Sequence, residues 1–184
     1  MPSPIAHLTT AYVVYKVARR HEPQPVLKWV GPLPGLLLVA TGFSLLPDVD
    51  SALGLLAGDL GRFHNNATHS LLVGTVVAFL FGAAMKCWRG DGFRYWYSVA
   101  LACYSLHVLM DAATVSRGVM ALWPLAETRF LFPFALFYGL HWSEGWLSVR
   151  HFWTLLTESL FALVVALLAR LTGFYAYRNH ASRL

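Results

Sequence analysis

Long apolar segments are the feature that most limits what this chain can fold into. The runs 68–85, 95–115 and 152–172 lie close to the roughly 20 residues that an α-helix needs to cross a bilayer. Charged residues make up only 12% of the chain, whereas soluble domains carry about 25%. The mean hydropathy is +0.54. Because so few charges cannot cover a water-exposed surface, the sequence predicts an integral membrane protein with one domain over residues 1–184.

The segments around these runs predict an all-α, polytopic membrane bundle of about four to six helices. A moderately apolar helix is expected over 5–18 and a more apolar one over 32–46, which ends before Pro47. Glycines in 51–66 favour loops or short helical pieces. Residues 116–150 are aromatic and interrupted by prolines, so they either span the membrane or re-enter it, and the sequence leaves both open.

The basic residues are divided unequally between the two sides of this bundle. The net charge is +5, but no cluster has the density or the interleaved aromatics of a nucleic-acid groove, so no nucleic-acid partner is expected. If the helices alternate in direction, one side holds most of the basic residues and is cytoplasmic, as expected in a bacterial inner membrane. That side has Lys16, Arg19, Arg20, Lys28, Lys86, Arg89, Arg94, Arg170, Arg178 and Arg183, and the other has Arg62, Arg117, Arg129 and Arg150.

Two pairs of polar residues have spacings that suit a shared ligand. His107 and Asp111 are four apart in an apolar helix, so their side chains share one face and can hold one ion. Asp48 and Asp50 are two apart after Pro47, and in an extended or turn conformation such residues point the same way. Ionisable groups in apolar segments are costly and usually functional, so both pairs are candidate site residues.

A third pair lies in the stretch FHNNATHSLL. His64 and His69 are five apart, which is wrong for one helical face, so His64 is expected in a loop and His69 in the first helical turn. Asn66 or Thr68 is the expected N-cap of that helix. With a histidine near the N-terminus, seven polar residues then fall at the same, non-cytoplasmic end. They are His7, Asp48, Asp50, His64, His69, His107 and Asp111.

This mixed set of imidazoles and carboxylates predicts a metal site. Such ligands suit Zn²⁺, or Mn²⁺ and Fe²⁺ in multinuclear sites, and seven are too many for one zinc, so two or more ions are expected. Thr68 and Ser70 are expected to orient ligands from a second shell. A single membrane histidine more often bridges helices by hydrogen bonds, so the prediction depends on the set rather than on any one member.

Five short motifs follow one another along the chain: His7, PDVD at 47–50, H-x4-THSLL at 64–72, HVLMD at 107–111, and Gly118 followed by WP at 123–124. Together they resemble the YdjM-type bacterial inner-membrane proteins, which are described as metal-dependent hydrolases. The resemblance covers about residues 5–125. The family has Arg and Gly where this chain has Asn65 and Asn66, and Arg62 is a conceivable replacement for that arginine.

The His-x3-Asp pair is also similar to one in zinc-dependent phospholipase C and the S1/P1 nucleases. In this chain the pair is His107 and Asp111. His141 and Glu144 are possible additional ligands on the same comparison. The tryptophans beside them favour a membrane-interface position equally well.

The expected function is a membrane-bound metal-dependent hydrolase facing the periplasm. Metal-activated water would attack a lipid or lipid-linked phosphate, with Asp48 or Asp50 as general base. Membrane lipids are the expected partners, and the oligomeric state is left open. The alternatives are a divalent-metal transporter or sensor, which needs a route through the bundle, and a structural membrane protein whose polar residues only bridge helices.

Overall fold

The computed structural model describes residues 2–21, 35–59, 63–89, 92–140 and 148–171, and helices are the main secondary structure of these residues. The predicted all-α class is confirmed, since the described residues contain no strand beyond two isolated bridges. Among them, Gly35–Leu56, Leu71–Trp88 and Val149–Leu171 are long and apolar enough to cross a membrane. The helices are α1 Pro4–Ala18, α2 Gly35–Leu45, α3 Val49–Leu56, α4 Leu71–Arg89, α5 Phe93–Ala112 and α6 Val149–Leu171.

Helix α1 begins at a cap that involves α6. The Ser3 hydroxyl accepts a hydrogen bond from the Ile5 amide, and Pro4 occupies the first helical position, where a missing N–H costs nothing. The fully buried Glu158 of α6 then accepts from the Ser3 amide and hydroxyl, both at 2.5 Å, and from the Ala6 amide at 3.1 Å. A carboxylate at a helix N-terminus satisfies unpaired N–H groups and the helix dipole together. The start of α1 is therefore fixed against α6.

Helix α2 ends at Leu45, before Pro47 as predicted, but the chain continues in a helical conformation after it. Leu46–Asp48 forms one 3₁₀ turn, and α3 starts directly after it at Val49. Proline is tolerated here because it occupies the first turn of a helix, where its missing N–H needs no partner. Asp48 and Asp50 consequently lie in a tight helical turn, and of the two conformations that the sequence left open the extended one does not occur.

Helix α4 starts three residues later than predicted. Ala67–His69 forms a 3₁₀ turn, so His69 precedes α4 instead of lying in its first turn. The Ser70 hydroxyl accepts from the Leu72 and Val73 amides at 3.1 and 3.4 Å, which is the contact of an N-cap residue. Ser70, not Asn66 or Thr68, therefore caps α4.

Small residues bring α4 and α5 close together. A Cβ atom at Gly74 would lie 2.3 Å from Tyr104 Cδ1, and one at Gly82 would lie 3.1 Å from the Phe93 carbonyl oxygen. Ala78, midway between these glycines, is fully buried. Small residues four apart allow membrane helices to pack at backbone distance, and here they seat α4 on the face of α5.

The polar and basic residues lie at opposite ends of this bundle. At one end the Tyr95 hydroxyl of α5 donates to the Ala18 carbonyl of α1, beside Arg19 and Arg94. At the other end the ring of His7 stacks on that of His107 with centroids 3.8 Å apart. Residues 113–140, most of which fall in the segment that the sequence left open, contain no helix, and their backbone bonds to the ends of α4 and α5 keep them at the His7 end.

Candidate metal centre

Four histidine rings point their Nε2 atoms at the carboxylate of Asp111. Asp111 Oδ2 lies 3.1 Å from His69 Nε2, 3.7 Å from His64 Nε2 and 3.9 Å from His107 Nε2. Asp111 Oδ1 lies 3.5 Å from His7 Nε2. The spacing of His107 and Asp111 on α5 places both on one face, as the sequence predicts. A single buried carboxylate is thus surrounded by imidazoles from α1, the 63–70 loop and α5.

Asp48 closes the same site from the turn between α2 and α3. Its Oδ1 lies 3.7 Å from His69 Nε2 and 3.6 Å from His107 Nε2. Its side chain is 17% exposed, whereas those of His69, His107 and Asp111 are fully buried. Asp48 is therefore the most exposed side chain of these four residues.

The opposite ring nitrogens are held by acceptors outside the centre. Asp50 Oδ1 lies 3.0 Å from His64 Nδ1, and its Oδ2 lies 3.1 Å from His69 Nδ1. His107 Nδ1 lies 2.7 Å from the backbone carbonyl of Ser44. Carboxylates and carbonyls that hold one ring nitrogen leave the other nitrogen free to bind metal. Asp50 thus turns two imidazoles toward Asp111 at once.

These contacts leave two lone pairs facing each other. A carbonyl or carboxylate only accepts, so the Nδ1 atoms of His69 and His107 carry the protons and their Nε2 atoms do not in the neutral rings. Yet these two Nε2 atoms lie only 3.2 Å apart. Two unprotonated nitrogens repel at that distance unless a cation, either a proton or a metal ion, lies between them and their acidic neighbours.

Several buried polar atoms of the centre have no hydrogen-bond partner among the described residues, although such groups are nearly always satisfied. Asp50 is not among them, because it receives Thr68 Oγ1 at 2.5 Å as well as the two histidines. The unsatisfied atoms are both ring nitrogens of His7, His64 Nε2, Asp48 Oδ1, and Asp111 Oδ1 and Oδ2. Apart from His7 Nδ1, they face the position where a metal ion would bind, so the donor set fits a metal.

Two sets of side chains are close enough to hold an ion. Asp48, His69, His107 and Asp111 form the first set, in which the ligand atoms lie within 4.8 Å of one another. Asp50, His64 and His69 form the second. The predicted ligands therefore converge as one cluster, with His7 joined to it through Asp111 and His107.

The carboxylates around His69 change its pKa. Burial lowers the pKa of His69, but hydrogen bonds with Asp111, Asp48 and Asp50 outweigh it and raise the pKa well above its usual value. The raised pKa favours the protonated ring when no metal ion is bound, and a metal ion that binds Nε2 must displace that proton.

The two predicted second-shell residues have different surroundings. Thr68 donates to Asp50 and lies 3.2 Å from His69 Nδ1, so it supports the ligands as predicted. Ser70 donates to the Trp123 carbonyl at 2.6 Å and caps α4, which links that helix to the 113–140 segment instead of touching a ligand. The proposed additional ligands His141 and Glu144, and the stand-in Arg62, lie outside the described residues.

Two arginines that the sequence did not single out hold the loop before His69. Arg117 donates to the His64 carbonyl. Arg129 donates to the Asn65 carbonyl at 3.2 Å, the Gly118 carbonyl at 3.0 Å and Asn66 Oδ1 at 2.6 Å. Burial, and then the nearby charge of Arg117, lowers the pKa of Arg129. In the sequence, both arginines belong to the side of the membrane that has few basic residues. An arginine on that side could have been recognised as a candidate for a role near the site.

Two other contributors were also missed, Ser44 and Glu158. Ser44 is fully buried, donates to the His7 carbonyl at 2.9 Å and accepts from His107. A serine in an apolar helix is too common to be a signal by itself. Glu158 did carry a signal, because a carboxylate in a membrane-spanning segment is expensive unless it is paired.

Comparisons with known proteins identify the family of this chain. The model of the YdjM inner membrane protein family matches residues 1–181. The chain belongs to this family. The resemblance expected from the motifs is thereby confirmed, and it extends beyond the 5–125 region that carries them.

An inner membrane protein from Escherichia coli, YbcI, is 32% identical to this chain over 105 residues. The match covers 54% of this chain and 60% of that protein, so it spans less than two thirds of the relative's length. No solved structure matches the chain. The family name and the three apolar helices place this protein in the inner membrane.

Proposed function

We propose that this YdjM family member is a metal-dependent phosphoesterase that cleaves a lipid or lipid-linked phosphate at the periplasmic face of the membrane. The observation that carries the proposal is the buried convergence of four Nε2 atoms on Asp111, two of which also approach Asp48, with several of the polar atoms of the cluster unsatisfied. A helix-bridging role would instead leave such polar atoms paired with one another.

The residues that would hold metal are those whose ring nitrogens or carboxylate oxygens are directed into the centre. His69, His107, Asp48 and Asp111 suit one ion, and Zn²⁺ is the expected metal for such a nitrogen and oxygen set, with Mn²⁺ or Fe²⁺ as alternatives. His7 Nε2, His64 Nε2 and Asp111 Oδ1 remain beyond those four ligands, and they support the predicted second ion. Such ions, when bound, lower the pKa of water and polarise a phosphoryl oxygen.

Two carboxylates of the chain, Asp48 and Asp50, have different proposed roles. Asp50 has its oxygens occupied by His64, His69 and Thr68, so its role is to orient imidazoles. Asp48 is the more exposed carboxylate and borders the centre, so it is the better general base for a proton leaving the attacking water. The apolar surroundings of this end suit a substrate that arrives from the lipid.

The first experiment is elemental analysis of detergent-purified protein. Wild type is expected to carry about two Zn, Mn or Fe per chain, and His69→Ala and Asp111→Ala should each lose most of it while remaining folded. His21→Ala and Asp59→Ala are matched controls, because these exposed residues lie outside the cluster. Phosphatidic acid and polyprenyl phosphate are then tested for metal-dependent release of phosphate.

Folded wild-type protein that binds no metal after Zn²⁺ or Mn²⁺ is added would overturn the proposal. It would leave the helix-bridging role as the explanation of the cluster. Metal that binds tightly but supports no phosphate release from either lipid would instead favour a transporter or sensor, whose prediction is metal movement across a vesicle membrane.

A further inference from the structure

An apolar cavity of about 420 Å³ lies beside the metal centre, between the start of α4, the end of α5 and the 119–132 segment. Val108 and Ala112 of α5 line it, and each directly follows a candidate ligand, His107 or Asp111. Consecutive helical residues point about 100° apart, so one helix presents its polar face to the metal centre and its neighbouring apolar face to the cavity. The cavity and the centre therefore share α5 as a wall.

The wall of this cavity is almost wholly hydrocarbon. Its apolar lining includes Leu71, Val119, Phe130 and Phe132. The cavity volume falls in the range of about 300–1,000 Å³ that is typical of small-molecule sites. Thr128 and Arg129 are the polar residues that line it. Such a cavity suits an alkyl or isoprenoid chain better than any water-soluble molecule.

One cationic side chain of the cavity wall, that of Arg129, also contacts the loop that carries His64. The hydrogen bonds of Arg129 go to the Asn65 and Gly118 carbonyls and the Asn66 amide oxygen, all of them neutral. Arg117 bonds the His64 carbonyl on the same loop. His64 is itself a candidate ligand. Both guanidinium groups therefore contact the loop at this ligand or at the residue beside it. Guanidinium groups bind phosphate strongly, often through two parallel hydrogen bonds.

We propose that this cavity binds the hydrocarbon chain of a lipid phosphate, whose phosphate group is held by Arg129 of the cavity wall, next to the candidate metal centre. The inference rests on the proposed phosphoesterase function and adds the position of its substrate. The apolar cavity suits the hydrocarbon chain, and the Arg129 guanidinium suits the phosphate group. The candidate metal centre would act on the phosphate ester bond. The lipid reaches the site from the bilayer, since Leu109 and Leu122 of the cavity wall are also 40% and 53% exposed.

The test measures lipid binding separately from hydrolysis. Chelator-treated, metal-free protein in detergent is titrated with dioctanoyl phosphatidic acid, and bound lipid is counted by native mass spectrometry. Dioctanoylglycerol, which has the chains without the phosphate, and inorganic phosphate are the comparison probes. We expect one phosphatidic acid per chain, and at least tenfold weaker binding of either comparison probe.

Variants then locate the bound lipid. Arg129→Gln should weaken phosphatidic acid binding at least tenfold and leave dioctanoylglycerol binding unchanged, while Ala112→Phe, which fills the cavity, should weaken both. Leu122→Trp is a second cavity-filling variant at an exposed position, in case Ala112→Phe fails to fold. Arg150→Gln is the matched control, an exposed arginine of α6 that does not line the cavity.

Equal phosphatidic acid binding by wild type, Arg129→Gln and Leu122→Trp would overturn the inference, because the lipid would then occupy the general protein surface. If hydrolysis is nevertheless seen with metal, the phosphoesterase proposal survives without this cavity. If the variants behave as expected but metal-loaded wild type releases no phosphate, the lipid site stands and the phosphoesterase proposal fails.

Discussion

Asp50 orients two histidines of the candidate metal centre. Its two oxygens hold the Nδ1 atoms of His64 and His69, and Thr68 donates to it as well. Histidines that bind metal are commonly held in this way, and loss of the supporting group typically costs 10–100-fold in metal affinity. The residue is therefore more informative than any single ligand about whether the cluster is built for metal.

The Asp50→Asn variant tests this role. An amide has one accepting oxygen, so its NH2 group must face one of the two imidazoles and force the ring proton onto Nε2. We expect metal affinity to fall about 10–100-fold with the fold retained. Competition with a zinc-sensitive dye measures the affinity, and Asp59→Asn, the same change at an exposed position, is the control. An unchanged affinity would mean that Asp50 does not orient the ligands.

The protonated state of His69 predicts that metal binding releases a proton. The raised pKa of His69 means that the metal-free protein holds this proton at neutral pH, and a metal ion must displace it. We expect about one proton released per chain at pH 7, and about tenfold weaker metal binding for each pH unit below that. Isothermal titration calorimetry in buffers of different ionisation enthalpy measures the release. Binding that is independent of both buffer and pH would contradict this assignment.

The ligand types could be predicted from the sequence, but the division of their roles could not. The spacing of His107 and Asp111 fixes a shared helical face whatever the partners are. The orienting part played by Asp50 depends on which nitrogen of His64 and His69 it meets, and that follows from a loop whose Asn65 adopts a positive φ of 61°. Asparagine tolerates this conformation, but its side-chain type alone does not require it.

Among the helices, the close packing of α4 on α5 has a direct link to the metal centre. Gly74 lies against the ring of Tyr104, whose hydroxyl donates to the Thr68 carbonyl. Thr68 in turn supports Asp50 and His69. A glycine on one helix thus controls where a ligand loop lies.

The Gly74→Ala variant should therefore lose both stability and metal. The added Cβ would approach Tyr104 Cδ1 to 2.3 Å, so the ring must move, and overpacking of this kind costs about 1–3 kcal/mol. Gly42→Ala is the matched control in another apolar helix, because a Cβ there meets nothing within 4 Å. Thermal unfolding and dye competition measure both properties. Equal behaviour of the two variants would show that the α4–α5 contact does not position the loop.

The helices themselves were largely predictable, while their ends were not. Apolar runs predicted the positions of α4 and α6, which are long and apolar enough to cross a membrane, and that of α5, which is a helix but is not among these candidate spans. Asn66, Thr68 and Ser70 all qualify as an N-cap by residue type, and only the fold decides that Ser70 receives the amides of Leu72 and Val73. The helical conformation that follows Pro47 was not predicted, because a proline usually ends a helix and here a 3₁₀ turn continues the chain into α3.

At the scale of the whole molecule, the opposite placement of the metal centre and the basic residues predicts the orientation in the membrane. Lys16, Arg19 and Arg94 lie at the end away from the centre, and the positive-inside rule assigns that end to the cytoplasm. Two positions report on it. Cys87 is exposed near the basic end of α4, and Leu125, in the segment at the metal end, is 82% exposed.

We expect a membrane-impermeant maleimide to label a Leu125→Cys, Cys87→Ser variant in intact spheroplasts and to leave Cys87 of wild type unlabelled until the membrane is lysed. Cys103 is buried and should stay silent in both proteins, which makes it an internal control. The reverse pattern would place the metal centre in the cytoplasm. The substrate would then have to be a phosphate of the inner leaflet, and lipid carriers displayed at the periplasmic face would be excluded.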